Sequence, residues 1–145
     1  MAERVIKIST DDFRFISLFE SLTNAGVKDC ITYPDKVVFI VNEGDMGLAI
    51  GKAGANVKKV EDALGKKIDL IEYSKDPIQF LKNLVYPVKI KNAYTAQKST
   101  GAKIINLQVE NPNDKKALLA NGKKRLNEAK GYFLRHHKID DVDVA

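Results

Sequence analysis

The stretch from Asp45 to Leu64, DMGLAIGKAGANVKKVEDAL, limits the fold more than any other part of the chain. Two short helical patterns meet there at Gly51-Lys52-Ala53-Gly54. Glycine has no Cβ, so Gly51 and Gly54 permit positive φ and the near approach of another backbone. Val57, Val60 and Leu64 recur at helical spacing after the loop. The spacing predicts a helix whose free N–H groups and positive dipole end face the loop, an arrangement that attracts phosphate. Lys52 is expected to project outward, because an unpaired charge is costly to bury. A nucleotide-binding P-loop does not fit. Met46 stands where its first glycine is required, and Ala53 follows Lys52 where a magnesium-coordinating Ser or Thr is needed. An isolated Gly-x-x-Gly also marks an ordinary helix–helix turn, so the flanking elements decide how it is interpreted.

Upstream, Lys36 to Asn42 is KVVFIVN, a β-branched and aromatic run suited to a buried strand. Downstream, Lys67 to Tyr73 is KIDLIEY, with Ile68, Leu70 and Tyr73 alternating imperfectly with polar residues. Ile6 to Ile8 forms a short lead-in. Ser9, Thr10 or Asp11 caps a first helix bearing Phe13, Ile16, Leu18, Phe19 and Leu22 on its apolar positions. Val27 to Tyr33 is a predicted strand, and Tyr33-Pro34-Asp35-Lys36 a turn, giving a hairpin with the run that follows.

From Ser74 to Asp76 runs a short polar link, and Pro77 suits the first turn of a helix with Phe80, Leu81, Leu84 and Val85. Strands are predicted from Val88 to Ala96 and from Ala102 to Val109, with a turn at Lys98-Ser99-Thr100-Gly101. After a cap at Asn111 to Asp114, Ala117, Leu118 and Leu119 suggest a short helix. Leu126, Ala129, Tyr132 and Phe133 suggest a longer one, and Ile139, Val142 and Val144 a last strand. The order of residues 1–74 is thus repeated in 75–145. In the second half Ala120-Asn121-Gly122-Lys123 falls where the Gly-x-x-Gly would lie, with glycine at neither outer position. Lys123, Lys124 and Arg125 are consecutive cations at an expected helix start, where they oppose the dipole. They form either an auxiliary phosphate site, with Asn121 and Gly122, or a solvated basic face.

A length of 145 residues with 44% hydrophobic content allows one medium core or two small ones, and the repeated order favours two. The net charge of +5 is unevenly placed: ten cations face twelve carboxylates in residues 1–74, and fourteen face seven in 75–145. No apolar run approaches the roughly 18 residues of a membrane span. The N-terminus lacks a signal-like apolar segment, so a cytoplasmic protein with no membrane association is expected. Cys30 is alone and expected to be a buried structural thiol. His136 and His137 are adjacent, about 100° apart on a helix, and cannot chelate a metal as an i, i+4 pair would. Asp140, Asp141 and Asp143 are expected to form a solvated tail. No carboxylate pair or nucleophile–His arrangement supports catalysis, and no metal or cofactor is called for. Phe13, Phe15, Phe19, Phe39 and Phe80 fall mainly on apolar faces, which favours core packing over base stacking.

Helix, strand, strand, helix, Gly-x-x-Gly, helix, strand resembles the KH domain in its type II order. The resemblance implies an α+β fold of two tandem type II KH domains, each a three-stranded sheet covered by helices, spanning 1–74 and 75–145. In KH domains the loop clamps about four backbone nucleotides. Two such units, the first with GKAG and the second degenerate, are similar to the short archaeal relatives of the transcription factor NusA. That similarity implies a non-enzymatic factor that binds single-stranded RNA in transcription elongation, pausing or termination. A monomer in contact with nascent RNA and RNA polymerase is expected. The 145 residues hold neither the N-terminal polymerase-binding region nor the S1 domain of bacterial NusA, so polymerase contact would use the KH surfaces or another subunit. By resemblance, Gly51, Lys52, Ala53 and Gly54 are the clamp, with Lys58, Lys59 and Lys67 as flanking phosphate ligands. Ile50, Val57 and Ile68 serve either as the apolar floor of a base groove or as core. A ribosome-associated or ribosome-assembly KH protein, and a protein-interaction module with a vestigial RNA groove, remain alternatives.

Overall fold

A computed structural model describes residues 10–86 and 88–144, with side chains from Asp12 onward except at 121–125. The lead-in expected at Ile6 to Ile8 and a cap at Ser9 lie outside the described residues. The chain divides into two compact units with the boundary between Ser74 and Lys75. No helix among the described residues is long and apolar enough to cross a membrane.

In the first unit, α1 (Thr10–Thr23) leads into β1 (Val27–Thr32) and β2 (Lys36–Val41). The Tyr33 N–H closes the intervening turn on the Lys36 carbonyl at 2.8 Å. α2 (Met46–Ile50), a single 3-10 turn at Lys52–Gly54, and α3 (Ala55–Leu64) then carry the chain over the sheet to β3 (Lys67–Glu72). The sheet order is β1-β2-β3, with β1 antiparallel and β3 parallel to β2. A parallel neighbour requires a crossover connection, and the two short helices supply it.

β2 is central and buried from Val37 to Val41 on both faces, which accounts for its unbroken β-branched and aromatic run. Val37, Phe39 and Val41 meet Ile16 and Phe19 of α1, Ala49 of α2, Val60 of α3 and Ile68 of β3 in one core. The Phe19 and Phe39 rings stack at 4.4 Å between centroids. Cys30 is a buried thiol outside any disulfide. One residue expected on the apolar face of α1 departs from it: Phe13 is exposed, one turn ahead of the positions that reach the sheet.

The second unit runs α4 (Pro77–Val85), β4 (Ile90–Gln97), β5 (Lys103–Val109), α5 (Pro112–His136) and β6 (Asp141–Val144). Asp76 caps α4 by accepting the Ile78 N–H at 3.0 Å, with Pro77 in its first turn. Its sheet order is β4-β5-β6, again antiparallel then parallel. Phe80, Leu81, Ile105, Leu107, Leu118, Leu126, Phe133 and Val142 are buried, and Phe80 meets Phe133 edge-on at 5.4 Å.

Two expectations are corrected here. The short and long helices predicted on either side of Ala120–Lys123 are one helix of 25 residues. Gly122 within it costs roughly 1 kcal/mol relative to alanine, which the burial of Leu118, Leu126, Ala129 and Phe133 outweighs. Their spacing is that of a single uninterrupted stripe. The acidic tail is not simply solvated. Asp141 and Asp143 lie in β6, Asp141 pairs with Lys130 at 2.9 Å, and Asp140 accepts the Lys103 N–H at 2.8 Å. The hydrogen bond from Lys130 holds the Asp141 carboxyl below its ordinary value. His137 packs against Phe80 and Phe133 at the end of α5.

Candidate nucleic-acid interface

The loop between α2 and α3 turns in the left-handed region at three of its four residues. Gly51 has φ 73° and ψ 175°, Ala53 φ 53° and ψ 31°, and Gly54 φ 75° and ψ 15°. At Gly51 the combination of positive φ with extended ψ is essentially restricted to glycine. Ala53 adopts a conformation that costs an L-residue about 1–2 kcal/mol, and it is exposed. The backbone is thus held in a tight corner with the side chains of Lys52 and Ala53 on the outside.

The two glycines serve different ends. A Cβ on Gly51 would lie 2.7 Å from the Asn56 side chain, whereas one on Gly54 would meet nothing within 4 Å. Gly51 therefore accommodates a neighbour from its own chain, and Gly54 leaves open space in front of the loop. Gly54 is also the N-cap of α3 and provides no side-chain oxygen to the first turn. That leaves the N-terminal N–H groups of the helix without side-chain capping from this position.

Lys58 and Lys59 stand exposed on α3 within two turns of the loop. Lys67 is exposed too, but it opens β3, beyond the far end of α3. Ten residues of helix separate it from the loop by about 15 Å, so the structure does not gather it into the corner. Of the three apolar candidates, Ile50 is 40% exposed, and Leu48 of the same helix 50%. Val57 is partly buried against the core, and Ile68 is a core residue at 7% exposure. Of the two readings open for Ile68, the structure takes the core, because its register opposite Val37 places it on the helix-covered face. Asn121, Gly122, Lys123, Lys124 and Arg125 lie on the continuous helix α5, not in a loop.

One residue of the corner escaped the sequence reading. Asn56, in the first turn of α3, donates from Nδ2 to the Leu48 carbonyl at 2.8 Å. Its signal was only that of a polar residue two positions after Gly54.

A family model described as the KH domain matches residues 15–115, and the chain is accordingly a KH-domain protein. Among curated proteins it is 42% identical to a probable transcription termination protein NusA of Methanococcus vannielii, over 86% of this chain and 70% of that one. It is 35% identical to the protein of that name from Methanocaldococcus jannaschii, over 96% of this chain and 75% of the relative. With the Halobacterium salinarum protein the figures are 30%, 96% and 98%. The crystal structure of APE1850 is similar with a TM-score of 0.77 at 31% identity, covering 95% of this chain and all of the other. The chain belongs to the archaeal NusA-like family.

Proposed function

We propose that this protein is a non-enzymatic factor in transcription elongation, pausing or termination that holds single-stranded RNA by the corner Gly51–Gly54. The observation that carries this reading is the left-handed loop itself, which presents Lys52 and Ala53 outward at the uncapped start of α3. A sugar-phosphate backbone approaching Gly54 meets open space where a Cβ would stand, the positive end of the α3 dipole and the Lys52 ammonium for charge. Lys58 and Lys59 extend the cationic track along α3, and the exposed Ile50 edges the groove for bases. Val57, half in the core, supports it from below.

Both units are assigned to the type II KH order, on the parallel pairing of β2 with β3 and of β5 with β6. In the second unit α5 runs unbroken through the position where that corner would fall, and residues 121–125 are assigned an auxiliary phosphate-binding role from this helix. The role in transcription is supported by the names of the relatives, and RNA polymerase is the partner it suggests.

The deciding experiment is binding of short single-stranded RNAs across a salt series by the intact protein and by the double variant Lys52→Asp, Ala53→Asp, which retains both glycines. The variant is expected to remain folded and to lose RNA affinity by tenfold or more, on the order of one charge-assisted contact replaced by repulsion. Affinity equal to the parent protein would reject the loop as the clamp.

A further inference from the structure

α2 has five residues, too few to persist as a helix on its own hydrogen bonds. It begins from a segment fastened at two points. Asp45 Oδ2 accepts the Gly26 N–H at 2.9 Å, and Glu72 Oε2 accepts the Gly44 N–H at 2.8 Å. At the other end the last carbonyls of a helix lack intrahelical donors, and Asn56 Nδ2 supplies one to Leu48. The same side chain lies against Gly51, so close that only a residue without Cβ fits. One amide group therefore reaches from the first turn of α3 across the whole loop to the last turn of α2.

We infer that Asn56 is the positioning residue of the RNA clamp: its bond to Leu48 and its packing under Gly51 set the corner before RNA arrives. The inference rests on the RNA-binding reading of the loop. Without Asn56 the loop keeps its glycines and its lysine, but α2 is no longer tied to α3 across them. Binding then has to order the corner at the expense of affinity.

The test compares the full chain with Asn56→Leu, which keeps the number and branching of side-chain heavy atoms but cannot donate, and Asn56→Ala, which removes the group at a helix position that favours alanine. Hydrogen exchange of the RNA-free proteins is followed at the Gly51 and Gly54 amides, which donate to the Gly47 and Gly51 carbonyls. Both variants are expected to exchange faster at these two amides and at parent rates in β2. RNA affinity should fall about three- to tenfold with an unchanged salt slope, because every phosphate ligand is retained. Weakened affinity with unchanged exchange would make Asn56 an RNA contact and overturn the inference. Faster exchange with parent affinity would overturn it as well, since the corner's order would then not govern binding. Should Lys52→Asp, Ala53→Asp bind RNA normally, the clamp reading fails. The exchange rates would still show whether Asn56 orders the corner.

Discussion

Gly51 and Gly54 look interchangeable in GKAG, and at the scale of single residues they are not. Alanine at Gly54 meets only the cost of a left-handed backbone, about 1–2 kcal/mol. Alanine at Gly51 meets a conformation nearly closed to side chains and a collision with Asn56 as well, together about 3 kcal/mol or more. Urea unfolding is expected to rank the variants in that order, and equal midpoints would contradict it. The glycine pair and the outward Lys52 were legible in the sequence because both follow from properties of single residue types. Asn56 was not, because its partner is a carbonyl eight residues earlier, and nothing in a side chain announces which backbone oxygen it will meet. Ala53 was legible only as a small residue, and its left-handed φ is imposed by the corner around it.

Among the elements, those of the first unit follow closely from periodicity and from turn residues. The run at β2 is apolar because both its faces are buried, and the predicted bounds differ from the observed ones mainly at strand ends. α5 shows where such reasoning fails. Asn121 and Gly122 are turn formers, and the comparison with the first unit made a break there attractive. A stripe through Leu118, Leu126, Ala129 and Phe133 buried along one helix outweighs one glycine. Replacing Gly122 with alanine is therefore expected to raise stability by about 0.5–1 kcal/mol, read as a higher unfolding midpoint. A loop at this position held by a left-handed glycine would respond with the opposite sign.

For the molecule as a whole, the order helix, strand, strand, helical segment, strand was legible in both halves, as were the altered loop and uneven charge of the second, whereas the merging of its last two helices into one emerged only with the backbone. The half that carries the corner is net acidic, and the half without it holds twice as many cations as carboxylates. This division makes the RNA reading testable apart from the clamp. Neutral substitution of Lys123, Lys124 and Arg125 together is expected to weaken RNA binding for all sequences alike. The slope of log affinity against log salt should flatten by about 0.7 for each phosphate these cations neutralise in the parent protein. An unchanged slope would leave them as a solvated face. The parallel pairing of β2 with β3 has a bearing on where such a chain can change length. The corner lies inside the connection from Val41 to Lys67, anchored at both ends by neighbouring strands in register. An added residue there would displace the loop or slip the strand. The turn at Tyr33 to Lys36 joins antiparallel neighbours outside that connection, and extra residues there could project into solvent. Descent with insertion and deletion thus has room at the hairpin tip and almost none along the crossover.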